Sequence, residues 1–263
     1  MQNRLLVALI ATTSLAVLGA TAAQAGTVVV TALDGSQGWS SPAGENTGGG
    51  TAAITNTPID GNGSLALTGD RSRVVFGGSA GLYGNPTAPG ATNNLGALSQ
   101  FTDLSFSYQI DPTSVSALDA KYSPLLGLTI WNGNTRDELV YEAAYQTGGY
   151  AAEGAIGTLN VTDSNALFYL NSEGDPNDAH TLADWLTIDP SLASDVVGGF
   201  YVGVGSGAGA GYLAHVDDIT ADGTTYNFET AAGVPEPADW ALMILGFAGA
   251  GAVLRRRQGV LAA

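Results

Sequence analysis

The sequence predicts an all-β fold, an antiparallel two-sheet jelly-roll sandwich, for the central part of the chain, and three observations point to it. Glycine makes up 37 of the 263 residues, about twice its usual share, which marks many tight turns. Short β-branched and aromatic runs bounded by Gly, Pro, Asn and Asp recur along the chain, while stretches with helical periodicity are few. Cysteine is absent. Disulfides, thiolate metal clusters and a cysteine nucleophile are therefore excluded, and stability has to come from a packed core.

The predicted strands run, in order, over 27–31, 64–68, 73–76, 104–110, 125–131, 139–145, 166–170, 200–204, 212–219 and 224–228. In 104–110 the apolar residues Leu104, Phe106, Tyr108 and Ile110 alternate with Ser105, Ser107 and Gln109, the pattern of a sheet with one wet face. Short helical turns are expected at 115–119 and 180–186, the latter with Leu182, Trp185 and Leu186 at helical spacing. About ten strands without βα alternation favour two antiparallel layers. The terminal strands, near 28–30 and 226–228, are placed to pair and close the sandwich.

Two address segments are expected to flank this body, which spans 26–233. Residues 1–25 carry Arg4, an apolar stretch from Leu5 to Leu18 and the small-x-small triplet Ala23-Gln24-Ala25, the pattern of a signal peptide cut before Gly26. Residues 234–263 hold Pro235-Glu236-Pro237, an uncharged run from Trp240 to Leu254 containing Gly246-Phe247, and then Arg255-Arg256-Arg257. This tail resembles the PEP-CTERM sorting signal of Gram-negative exopolysaccharide producers. It departs from the pattern at Leu242, where methionine is more usual, and in residues 258–263 beyond the arginines. The resemblance implies an exosortase as partner, a hydrophobic sorting helix that anchors transiently in the inner membrane, and delivery to the outer surface or extracellular matrix.

A second resemblance lies within the body. Residues 181–185, 204–207, 215–219 (His-Val-Asp-Asp-Ile) and 225–229 (Thr-Tyr-Asn-Phe-Glu) look like the C-terminal half of bacterial extracellular jelly rolls related in architecture to carbohydrate-binding modules. It implies a sandwich more than any one ligand.

Charge narrows the function classes further. The body holds 22 acidic residues against four basic ones, Arg71, Arg73, Lys121 and Arg136, a net −18. No nucleic-acid footprint is present. Only two histidines, His180 and His215, are available to a Ser-His-Asp site, and no Glu-x-Asp-x-x-Glu string of jelly-roll glycosidases occurs. Glu138 and Glu142 share a strand face and remain the acidic pair that a secreted carbohydrate-active hydrolase would use. A structural calcium ion is the one cofactor weighed. Hard cations need several oxygen ligands, and Asp217 and Asp218 offer carboxylates, set against hydrogen bonding of Asp217 to a tight turn. Strand alternation sends the two to opposite faces unless a bulge intervenes. Trp131, Tyr141 and Tyr145 are the candidate sugar-stacking aromatics, each of which would serve equally in a sandwich core.

The function expected from these features is a non-catalytic exported protein, processed by an exosortase and associated with exopolysaccharide. The alternatives are a glycoside hydrolase and a purely structural surface protein without a small ligand.

Overall fold

The computed structural model describes residues 26–77, 94–116, 123–146, 151–162, 164–205, 207–221 and 223–231. These residues form two seven-stranded sheets packed face to face. In chain order the strands are β1 (Gly26–Val30), β2 (Trp39–Ser40), β3 (Thr51–Asp60), β4 (Gly63–Thr68), β5 (Ser72–Phe76), β6 (Ser105–Ile110), β7 (Leu125–Asn132), β8 (Thr135–Tyr141), β9 (Ile156–Asn160), β10 (Phe168–Leu170) and β11 (Ala179–His180). A single α-helix among the described residues, α1 (Leu182–Ile188), precedes β12 (Val196–Val204), β13 (Leu213–Ala221) and β14 (Thr224–Phe228).

Sheet A contains the run β9-β6-β13-β4-β3, and sheet B the run β11-β10-β8-β7-β12-β5-β2. The chain passes from β4 in A to β5 in B, back to β6, over to β7 and β8, back to β9, and finally through β12 to β13. That alternation interleaves β9-β6-β13-β4 with β5-β12-β7-β8, which is jelly-roll connectivity. Sheet A is forked. One edge of β13 pairs with β6, while the other pairs first with β4 and then, past an irregularity between Asp217 and Thr220, with β14. β1 lies parallel to β14, with Val28 opposite Tyr226, so the two ends of the body meet.

The core between the sheets follows from alternation. Phe106, Tyr108 and Ile110 of β6 point inward, with Ser105, Ser107 and Gln109 on the other face. They meet Leu126, Leu128 and Ile130 of β7 and Phe200 and Val202 of β12. Burying each such side chain contributes about 1.5–3 kcal/mol. At one end Trp39 forms an aromatic cluster with Phe76, Phe200, Tyr226 and Phe228, with ring centroids 5.1–5.5 Å from that of Trp39. α1 closes another margin: Trp185 is buried and donates its indole N–H to the Phe168 carbonyl at 2.6 Å. Thr181 caps the helix by accepting the Asp184 N–H.

Several expectations change. β3 has no counterpart among the predicted strands because its sequence, Thr-Ala-Ala-Ile-Thr-Asn-Thr-Pro-Ile-Asp, contains small residues and a proline. It is an edge strand, where Pro58 interrupts no internal ladder. The strand expected at 139–145 begins earlier, at Thr135, and gives way after Tyr141 to a 3-10 turn over Ala143–Tyr145. The helical turn expected at 115–119 falls largely outside the described residues.

The flanking helix in the expected fold class is corrected. Among the described residues no helix is long and apolar enough to cross a membrane. The seven residues of α1 span about 10 Å against a hydrocarbon core of about 30 Å. The signal peptide expected over 1–25, including Ala23 and Ala25, lies outside the described residues. So does the sorting segment 234–263, with Pro235, Glu236, Pro237, Trp240, Gly246, Phe247, Arg255, Arg256 and Arg257. The supported fold class is therefore the two-sheet sandwich alone. The transmembrane helix, the inner membrane as partner and the transient anchoring step in the expected localisation have no supporting element among the described residues.

Candidate functional site

The outer face of sheet B concentrates the charge chemistry of the body. β5, β12, β7 and β8 lie side by side there, with Tyr201 opposite both Val75 and Gly127, and Gly127 opposite Val140. The inward residues of these strands fill the core. Arg73, Tyr201, Thr129 and Glu138 therefore fall on the opposite face by simple alternation.

Two glycines let large side chains lie flat across this face. A Cβ on Gly203 would sit 2.6 Å from Arg73 Cγ, and one on Gly127 would sit 2.0 Å from the Tyr201 ring. Arg73 thus crosses β12 and Tyr201 crosses β7. The Arg73 guanidinium rests 4.8 Å from the Tyr201 ring centroid, a cation–π contact. The Tyr201 hydroxyl donates to Glu138 Oε2 at 3.2 Å, and Arg136 pairs with Glu138 Oε1. On the other side Glu45 accepts from Arg73 at 3.3 Å and from Arg71. The result is a continuous chain, Arg71–Glu45–Arg73–Tyr201–Glu138–Arg136, in which Glu138 is only 1% exposed. Among the described residues these three arginines are the arginine and lysine side chains.

Glu142 lies at the margin of the same face. Burial pushes its carboxyl above the ordinary glutamate range, while the Arg73 charge pulls it back. Four residues of extended strand separate its Cα from that of Glu138 by about 13 Å. Glu138 already accepts from Arg136 and Tyr201. The geometry makes Glu138 part of a structural ion chain.

The candidate aromatics separate. Trp131 is buried beside Arg136 on the outer face of sheet B. Tyr141 is buried in the core, its ring 6.1 Å from Phe168 and its hydroxyl 3.3 Å from Ser123 Oγ. Tyr145 is 45% exposed and meets Tyr169 edge to face with centroids 6.3 Å apart. The structure brings none of these three into a shared platform.

Asp217 and Asp218 sit at the fork of sheet A. Asp217 is fully buried, and its carboxylate accepts the backbone N–H groups of Phe228 at 2.8 Å, Asp218 at 2.9 Å and Asp60 at 3.4 Å. Burial pushes its carboxyl up to about 6, the three N–H bonds acting against that rise. Asp218 takes a left-handed backbone with φ of 49°, a conformation Asp tolerates better than most residues. This bulge is what turns β13 from β4 towards β14. Asp217 therefore satisfies backbone donors that the fork exposes, and among the described residues no group of three or more His, Asp or Glu side chains is placed to hold a metal ion.

The two histidines differ. His180 in β11 bonds Asp178 Oδ1 through Nε2 at 2.8 Å and lies edge-on to Trp185. His215 is buried on the outer face of sheet A, between Ser64 and Asp111. Gly26, expected at the signal cleavage point, opens β1 and donates its N–H to the Gly223 carbonyl at 3.3 Å.

Sequence reasoning missed Glu45, Arg71, Arg73 and Tyr201 as a unit. One signal was available: Arg71 and Arg73 are two apart, hence on one strand face, in a body with four cations. No protein-family model matches the chain, and a search of curated proteins finds no relative.

Proposed function

We propose that the body is a non-catalytic module that associates with exopolysaccharide in an extracellular matrix. One observation carries this reading: Arg71, Arg73 and Arg136, the cations of the described residues, are drawn into an ion-paired chain on a buried sheet face. Among the described residues the surface left to solvent is neutral or acidic, with Glu173, Asp175 and Asp178 exposed in a single loop. Such a surface repels polyanions and keeps the module soluble. It favours association with neutral glycans through hydroxyl and amide hydrogen bonds, or with acidic glycans through bridging divalent cations. Processing by an exosortase near Pro235-Glu236-Pro237 belongs to the same proposal and rests on the sequence of the tail.

Co-sedimentation of the full chain with insoluble neutral glucan, and with alginate in the presence of calcium or of chelator, tests the association. Binding to glucan, or binding to alginate that calcium promotes, supports it. Release of reducing ends would favour the hydrolase alternative, and absence of binding under every condition would favour a purely structural protein.

A further inference from the structure

Sheet A contains an unbroken run of five strands, β9-β6-β13-β14-β1, that passes through the fork. Its outermost strands, β9 and β1, each pair on one side only among the described residues. Both have five residues, Ile156–Asn160 and Gly26–Val30, and neither contains a charge or a proline. The other edges are blunted: β3 contains Pro58 and ends in Asp60, and β2 and β11 are two residues long. In a body of net −18, these two uncharged edges are where a second acidic body meets least repulsion.

Main-chain groups on both strands turn towards the open side. The Gly26 N–H donates to the Gly223 carbonyl and the Val30 carbonyl accepts from Glu229, both on the β14 side. Alternation therefore sends the N–H and C=O of Thr27 and Val29 the other way. Gln37 demonstrates what that side accepts. Its carboxamide donates to the Val29 carbonyl at 2.8 Å and accepts the Thr31 N–H at 2.8 Å, as one residue of a neighbouring strand would. Thr27, two residues earlier and exposed, presents the same kind of groups. On β9, Val161 donates to Leu104 on the β6 side, so the exposed residues Ile156 and Thr158 turn their main-chain groups outward.

Direction and level match as well. β9 is antiparallel to β6 and β6 to β13, so β9 runs with β13. β14 is antiparallel to β13 and β1 is parallel to β14, so β1 runs against β13. A second copy set beside the first in the same orientation thus brings its β9 antiparallel to β1, the more stable kind of ladder. Thr27, Thr225, Thr220, Ser105 and Asn160 lie in one register line across the run, so the two edges stand at the same level. Val29 is 49% and Ile156 56% exposed, and both lie on the face opposite the buried Val30 and Leu159. Across a new ladder these two apolar side chains fall within reach of each other.

We infer that the body polymerises head to tail through sheet A, with β1 of one copy adding to β9 of the next. The contact uses a different patch on each copy, so it does not close on itself, and repeated with the twist of the sheet it builds an open filament. Gln37 sits at the far end of the β1 edge and limits the ladder to the rungs around Thr27 and the Val29 N–H. This self-assembly is independent of the association with glycans.

The test is sedimentation of the full chain over a concentration series, at low and at physiological salt. The expected result is a ladder of species that grows beyond the dimer with concentration, and further with salt, which screens the repulsion between acidic bodies. Two variants each block one edge. Thr27→Pro removes an outward N–H from β1 and Thr158→Pro one from β9, and neither takes a donor from the internal ladders. Each variant alone should stay monomeric, and an equal mixture of the two should form a dimer and nothing larger, because one open edge of each kind remains. A chain that is monomeric at every concentration and salt overturns the proposal. So does assembly that persists in both single variants, which places the contact elsewhere, and so does dimerisation of Thr158→Pro alone, which means that β1 pairs with itself. Should a proline variant fail to fold, Val29→Asp or Ile156→Asp places a charge on the same edge and takes its place with the same expected outcomes.

Discussion

The outer faces of the two sheets both bury ionisable side chains, and they satisfy them by different means. On sheet B the charges pair side chain to side chain, from Arg71 to Arg136, through partners on β5, β12, β8 and the turn that holds Glu45. On sheet A the buried carboxylate of Asp217 is held by backbone N–H groups, and His215 bridges a hydroxyl and a carboxylate. A mutual ion chain fails when any one member is removed, because a buried charge is left behind. A carboxylate held by the backbone depends on no other side chain, but its bonding changes with its own proton. Sheet B is thus the mutation-sensitive face and sheet A the pH-sensitive one.

The hardest blow to this contrast comes at Glu138. Glu138→Ala strands Arg136, whose side chain is 12% exposed, and takes the acceptor from Tyr201. The expected loss is about 3–5 kcal/mol, the usual cost of breaking a buried pair from one side. It should appear as a lower urea midpoint, with little dependence on pH between 6 and 8. A loss below about 1 kcal/mol would mean that the array behaves like surface ion pairs, which contribute little.

Asp217 separates the faces through pH. Burial raises its carboxyl from 3.8 in the ordinary state to about 6 in the fold. Between those values the folded chain holds a proton that the unfolded chain has released. Stability from this group is therefore fully present below the unfolded value and is lost as pH rises through about 6. One such proton changes stability by at most about 1.4 kcal/mol per pH unit. Asp217→Asn, which cannot titrate, should flatten that part of the profile in urea melts taken across pH 4–7, whatever its absolute stability. An unchanged slope would assign the titration to another group.

How much of this was legible depended on whether a residue's partner was near in sequence. The alternation in β6 is local, and its inward and outward faces follow from the sequence alone. The approach of the two ends of the body was also readable, because β1 and β14 are short β-branched or aromatic runs there, but their parallel pairing departs from the antiparallel sandwich expected. β3 was not, since it is an edge strand of small and polar residues held by β4 rather than by its own propensity. At the site, the adjacency of Asp217 and Asp218 suggested oxygen ligands. The left-handed turn at Asp218 that aims Asp217 at the Phe228 N–H belongs to the forking of the sheet, which is a tertiary property. Glu138 needs Arg136, two residues away, and Tyr201, 63 residues away. Only the first of these partners is local. The glycines at 127 and 203 that let Tyr201 and Arg73 lie across their neighbours read as ordinary turn residues until the strands are in register.

The smallest change examines whether the sheet B chain is one unit or two. Tyr201→Phe keeps the ring under Arg73 and over Gly127, and removes the hydroxyl that donates to Glu138. If Tyr201 only fills space, the variant should match the parent. If its hydroxyl helps hold the buried carboxylate, the expected loss is about 0.5–1.5 kcal/mol, the net value of one hydrogen bond. The informative quantity is its coupling to Arg136→Met. With Arg136 gone, Glu138 depends more heavily on Tyr201, so the two losses should exceed their sum when combined, by at least about 0.5 kcal/mol in a double-mutant cycle. Simple additivity would divide the array into an Arg136–Glu138 pair and a separate Glu45–arginine cluster. The contrast between the faces would then rest on the pairs alone, with Tyr201 acting as a wall between them.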